Sequence, residues 1–181
     1  MLSERIRSER AQREWSLTRL AEVSGVSRAM ISKIERGQSS PTAVILGRLS
    51  AALEVSVSDL LAPTAKPAAG SVRRDDERSD WTDPETGYLR RQISAPEFGA
   101  DVTEVLLPAG ARIGYPAAAF AFIDQLLWIL DGRLTLGDGS AVLQLNAGDT
   151  LQLGPPTARE FSNETLTPCR YVVVVLRKPS A

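Results

Sequence analysis

The stretch Leu17–Gly37, LTRLAEVSGVSRAMISKIERG, constrains this chain more than any other. Its apolar residues recur at helical spacing twice, with one glycine between the two runs. Leu17, Leu20 and Ala21 mark the inner side of a first short helix over Leu17–Val23, and Ser16 stands before it as an N-cap. Gly25 falls where the chain must reverse, a position that calls for positive φ. Ser27 caps a second helix that reaches Arg36, with Val26, Met30, Ile31 and Ile34 as its inner stripe. The other side of that helix is Arg28, Ala29, Ser32, Lys33 and Arg36. It is small and cationic, with donors able to reach base edges and phosphates.

The flanks extend the pattern. Before the stretch stands RIRSERAQ; after it stands SSPTAVILGRLSAALEVSVSDLL. Ser3 is placed to cap a first helix over about Glu4–Glu14. Its apolar stripe starts Leu2, Ile6 and then lands on Arg10. A charge at that half-buried position needs a partner, and Glu35 beside Ile34 is the natural one. Ser40-Pro41 reads as a cap followed by a first-turn proline. It opens a fourth helix to Leu53, with Val44, Ile45, Leu49, Ala52 and Leu53 inward. Ser56-Val57-Ser58-Asp59 matches a capping box with Asp in place of Glu and opens a last helix ending near Leu61. Over Arg5–Leu61 these pieces together resemble the phage-repressor (XRE) type of helix-turn-helix domain. The resemblance implies five helices and double-stranded operator DNA as the partner. It places Ser16, Thr18, Ser27, Arg28, Ala29, Ser32, Lys33, Arg36 and Ser39 at the DNA. It also implies the Arg10–Glu35 pair and a homodimer on two-fold half-sites.

Bulk charge does not announce a nucleic-acid partner. Residues 1–61 hold nine Lys+Arg and seven Asp+Glu, a balance of +2; the remainder holds twelve and fifteen, a balance of −3. The case for DNA therefore rests on where the cations lie. One cysteine, Cys169, excludes an intramolecular disulfide framework, and its apolar surroundings suggest a buried thiol. The sequence has no apolar run of membrane length and no signal-peptide pattern, which implies a cytoplasmic protein without a membrane partner.

Residues 62–86 have linker composition. Ala62–Ser71 is rich in Ala, Pro and Gly, and Arg73–Asp80 is nearly all charge. From Gly87 the hydrophobic period becomes two. Strands are expected over Tyr88–Ser94, Asp101–Leu107, Phe120–Leu130, Arg133–Leu136, Ala141–Leu145, Thr150–Leu153, Arg159–Ser162 and Arg170–Leu176. Turn signals such as Pro108-Ala-Gly110, Asp131-Gly132 and Asp138-Gly139 separate them. Many short strands with regular turns indicate a sandwich or barrel.

Within that region LLWILDGRLTL, LQLNAGDTLQLGPP and AREFSN resemble the core of a small cupin barrel over Leu126–Asn163. Metal-binding cupins set two histidines and a glutamate in the first motif and a histidine in the second. In this chain the glutamate position is Gln125 and the last histidine position is Arg159. The first two histidine positions fall at Ala118 and Phe120, or one residue later at Ala119 and Ala121. The chain holds no histidine. Such side chains cannot replace imidazole and carboxylate ligands, so no metal and no cofactor are expected. What remains is a cavity with Tyr115, Phe120, Gln125, Leu127, Arg159, Phe161 and Tyr171 as inward candidates. Arg159 is the expected charge partner of an anion and Gln125 an orienting amide.

The chain thus reads as a multidomain α + β protein. A five-helix helix-turn-helix domain spans 1–61, a linker 62–86 and an all-β cupin-like barrel 87–181. The function implied is a non-enzymatic, sequence-specific transcriptional regulator. Its barrel dimerises and senses a small-molecule effector without metal. Two rivals stay open: a metal-independent cupin enzyme fused to a DNA-binding domain, and a DNA-binding scaffold whose barrel only dimerises.

Overall fold

A computed structural model describes residues 1–62, 72, 74, 80–95 and 98–178. Five helices come first: α1 (Leu2–Gln12), α2 (Leu17–Ser24), α3 (Arg28–Glu35), α4 (Ala43–Leu53) and α5 (Val57–Leu61). Their shared core is Ile6, Leu20, Ile31, Ile34, Leu46, Leu49, Leu53 and Leu60, each at most 1% exposed. None of the described helices is long and apolar enough to cross a membrane. The charged run Arg73–Asp80 lies, apart from Arg74 and Asp80, outside the described residues.

Two helix starts differ from the sequence expectation, each for a local reason. The α1 helix begins at Leu2, with the Met1 amine paired to Glu4 at 2.9 Å, so Ser3 lies inside the first turn. It ends at Gln12, and Glu14 then takes a left-handed φ of 55°. The α4 helix begins after Thr42, whose hydroxyl accepts from the Ile45 amide at 3.4 Å; Ser40-Pro41 is too early. Its first amide, at Ala43, donates to Asp83 Oδ1 at 3.0 Å. That capping carboxylate is 40 residues away in sequence, so no local pattern reveals it. The Ser56–Asp59 capping box forms as expected, with Asp59 N–H on Ser56 Oγ at 2.9 Å and Ser56 N–H on Asp59 Oδ2 at 3.2 Å.

Among the described residues ten strands follow, all paired antiparallel. One sheet runs β1 (Asp80–Thr82), β2 (Leu89–Gln92), β3 (Asp101–Leu107), β10 (Cys169–Arg177), β5 (Ile123–Asp131), β8 (Thr150–Gln152). The other runs β4 (Arg112–Tyr115), β9 (Arg159–Ser162), β6 (Arg133–Asp138), β7 (Ala141–Asn146). Both sheets feed one core that includes Val105, Leu107, Ile113, Leu127, Leu134, Leu136, Phe161 and Tyr171. The cupin-like region is therefore two packed sheets and not a closed barrel. Its outer strands β1 and β8 are three residues each, and neither pairs with a strand of the second sheet. Strand β1 lies inside the segment that reads as linker, where Trp81 pairs with Arg90 of β2. Strand β4 escapes the sequence pattern because Gly114 interrupts it. The expected strand from Phe120 starts at Ile123, because Ala117–Phe120 coil into a 3₁₀ turn after Pro116.

Helix α4 joins the two halves. Its far side carries Leu46, Leu49 and Leu53 into the helical core, while Ala43 belongs to the sheet core. Gly47 lies against the Tyr115 ring so closely that a Cβ there would sit 2.3 Å from Cδ1. Alanine is favoured over glycine in a helix by ~1 kcal/mol, whereas overpacking a tight contact costs ~1–3 kcal/mol. Gly47→Ala should therefore lower the melting temperature. An increase would show that α4 does not seat on Tyr115.

Candidate functional site

The turn between α2 and α3 is built as the sequence suggests. Ser16 Oγ accepts from the Arg19 amide at 3.0 Å and Ser27 Oγ from the Met30 amide at 3.2 Å. Gly25 takes φ +67° between them. Val26, Ile31 and Ile34 are buried. On the other side Ser16, Thr18, Ser27, Arg28, Ala29, Lys33 and Arg36 are exposed, and Ser32 and Ser39 are half-buried. Arg36 Nε is tied to Gln38 at 3.0 Å, while Arg28 and Lys33 have no ion pair among the described residues. Behind this face, Arg10 grips Glu35 with two bonds, Nε to Oε1 at 2.7 Å and Nη2 to Oε2 at 2.8 Å. Its Nη1 donates to the Trp15 carbonyl at 2.7 Å. The hydrogen bond to Glu35 raises the Arg10 pKa against the opposing effect of burial. The pair fixes the end of α3 to α1 and so sets the direction in which α3 projects.

Residues 6–60 match the helix-turn-helix family HTH_3. This segment is an HTH_3 domain. It is similar to the HTH-type transcriptional regulator SutR of Escherichia coli K12, 47% identical over 62 residues, or 34% of this chain and 35% of SutR. It is similar also to SinR of Bacillus subtilis, 42% identical over 62 residues, or 34% of this chain and 56% of SinR. The chain thus spans about a third of one curated relative and about half of the other. A solved HTH_3 family transcriptional regulator from Vibrio cholerae shares the fold along the whole length. Its TM-score is 0.76 at 21% identity, covering 99% of this chain and 96% of that one.

A cavity of about 40 Å³ lies between the HTH_3 domain and the sheets. Ser50 of α4 and Ser56–Ser58 at α5 wall one side. Of the residues expected to line a cavity, Tyr115, Phe120, Gln125, Phe161 and Tyr171 do so. Leu127 is fully buried in the core and does not reach it. Arg159 lies elsewhere, its side chain 1% exposed and its Nε 2.9 Å from Asp138. Its Nη2 donates to the Pro155 and Gly154 carbonyls at 2.9 and 3.2 Å, and its guanidinium covers the Phe120 ring at 4.6 Å. The basic residue in the cavity is Arg90 of β2, which sequence reasoning missed. Leu89 of that strand and Ile93 just after it alternate with Arg90, so hydrophobicity suggests the wrong face.

The donor set does not fit the metal that cupins commonly carry. The residues that the cupin resemblance sets at the ligand positions are amide, guanidinium, alanine and phenylalanine, and the chain has no histidine. Among the described residues no cluster of three His, Cys, Asp or Glu is present that could hold an ion. Cys169 is buried with its pKa pushed up to about 11, by burial and then by Asp131, so it is an inert thiol. Beside the cavity, Asp59 of α5 pairs with Arg177 of β10, and Ser56 Oγ reaches Asp101 Oδ2 at 3.3 Å. Burial, and next the Asp59 charge, raise the Asp101 carboxyl above its ordinary range.

Two outcomes follow from these contacts. Removing either Arg10 or Glu35 strands a largely buried charge and should cost ~3–5 kcal/mol, whereas replacing both with apolar residues should cost far less. Denaturant unfolding of the four species in a double-mutant cycle measures this, and small additive losses would show two independent charges. For Asp101, the folded carboxyl holds its proton more tightly than the unfolded one, so its ionisation weakens the fold as pH rises. Asp101→Asn should therefore melt above the parent at pH 7, with the gap closing as pH falls into the acid range. An unchanged gap would mean that Asp101 is not so perturbed.

Proposed function

We propose that the chain is a DNA-binding transcription regulator that lays α3 in the major groove of operator DNA. The carrying observation is the exposed α3 face. Its cations Arg28 and Lys33 have no ion pair among the described residues, and it sits on a domain whose relatives are named transcriptional regulators. Arg28 and Ala29 at the helix start read base edges, with Ser32 one turn on and Lys33 beside it on a phosphate. Ser16, Thr18, Ser27, Arg36 and Ser39 hold the flanking phosphates. The reading is non-enzymatic, with domains at 1–61 and 87–181 and a connecting segment between them.

One α3 covers too few bases to be selective, so two copies bind two half-sites about one helical turn apart. The outward face of β5 and β10, where Leu126, Trp128 and Leu176 stay exposed, supports that pairing. A small-molecule effector held by the C-terminal half adjusts operator affinity. Coupling of this kind is typically worth ~1–3 kcal/mol.

Arg28→Ala should cost ~1–3 kcal/mol of operator binding and relax specificity at one base pair. Lys33→Ala, which removes a phosphate contact, should weaken all sequences alike and reduce the salt slope by about one. Genome-wide binding-site sequencing followed by footprinting should show an inverted repeat. Operator binding unchanged in both variants would overturn the assignment of α3.

A further inference from the structure

Arg90 is 7% exposed, yet among the described residues no carboxylate pairs with it. Its Nη1 donates to Tyr88 Oη and its Nη2 to Ser58 Oγ, both at 2.8 Å, while Nε has no partner. An isolated buried cation is costly unless an opposite charge or further hydrogen bonds compensate it. Tyr115, 9% exposed, lines the same cavity with its hydroxyl also unpartnered.

The hydrogen-bond direction around Arg90 is set by the groups behind it. Thr103 Oγ1 donates to Gln92 Oε1 at 3.1 Å, so Ser58 gives its proton to Thr103 at 3.2 Å and accepts from Arg90. Ser58 is thereby satisfied. Burial above all, and for each the neighbouring Tyr88, hold Tyr115 and Tyr171 well above the ordinary tyrosine range, so both phenols keep their protons. The cavity therefore presents unmatched donors and one positive charge.

We propose that this cavity, between the HTH_3 domain and the sheets, binds a short-chain carboxylate, with Arg90 as its charge partner and Tyr115 as a second donor. A carboxylate brings one negative charge and two acceptor oxygens, which answers the single cation and the free N–H and O–H. Ile113, Phe161, Val173 and Val175 on the remaining walls suit a short alkyl tail. The volume of about 40 Å³ exceeds what one water needs, so a small ligand can enter. Because Ser56, Val57 and Ser58 close the cavity, the carboxylate ties the HTH_3 domain to the sheets. This deepens the effector reading above and rests on it; its tests use no DNA, so they stand or fall apart from operator binding.

The test is thermal-shift and calorimetric titration of the full chain with sodium acetate, propionate and butyrate. Sodium chloride at matched ionic strength and inorganic phosphate serve as controls. Saturable stabilisation by the carboxylates beyond both controls is expected. Arg90→Met replaces an uncompensated cation with an apolar side chain, so it should fold at least as stably and lose the response. Tyr115→Phe should keep the response with affinity lowered about tenfold, the worth of one hydrogen bond to a charged group. Hydrogen exchange should slow at the 57–61 amides when butyrate is bound. No carboxylate response, an equal response in Arg90→Met, a stronger response to phosphate, or unchanged exchange at 57–61 would each overturn the proposal.

Discussion

The seating of α4 on the sheets is the contact on which the rest of the molecule depends. One side of that helix completes the helical core through Leu46, Leu49 and Leu53. The other side meets Tyr115, and its first amide is capped by Asp83. The two halves consequently share a seam of polar contacts. Ser56 meets Asp101, Ser58 meets Thr103 and Arg90, and Asp59 meets Arg177. A chain whose sequence reads as two domains on a tether has its halves locked together at this seam.

Much of the helical half was legible because its determinants are local. Caps at Ser16, Ser27 and Ser56, the turn at Gly25 and the stripe Val26, Ile31, Ile34 each follow from neighbours in sequence. Even the long-range Arg10–Glu35 pair was legible, since a charge breaking an apolar stripe must be answered. The start of α4 was not, because its cap is supplied by Asp83 from the other half.

The candidate cavity was half legible for the same reason. Gln125, Phe161 and Tyr171 follow from strand alternation once a β-rich region is accepted, whereas Tyr115 lies on a strand that the pattern hides and Phe120 in a 3₁₀ turn. Arg159 was the natural cation by motif position, but Asp138, 2.9 Å away, already answers it. Strand β2 misleads because polarity does not decide which of its faces turns inward. Tyr88, Arg90, Gln92 and Ser94 go in, and Ile93 is left exposed. The polar wall formed by Ser58 and Thr103 makes that inversion tolerable, and this wall exists only after the two halves meet.

The side chains that α4 presents toward the sheets have a mechanical consequence. Ala43, Gly47 and Ser50 stand four and three residues apart and are among the smallest available. Small side chains let the backbone come close, so shape and hydrogen bonds define the docked geometry sharply. They themselves remove little apolar surface from water; the apolar part of the joint comes from Tyr115, Val57 and Trp81. The joint is therefore stiff and well defined, its geometry set by close backbone approach and polar contacts, with Trp81 and Val57 packed against both cores.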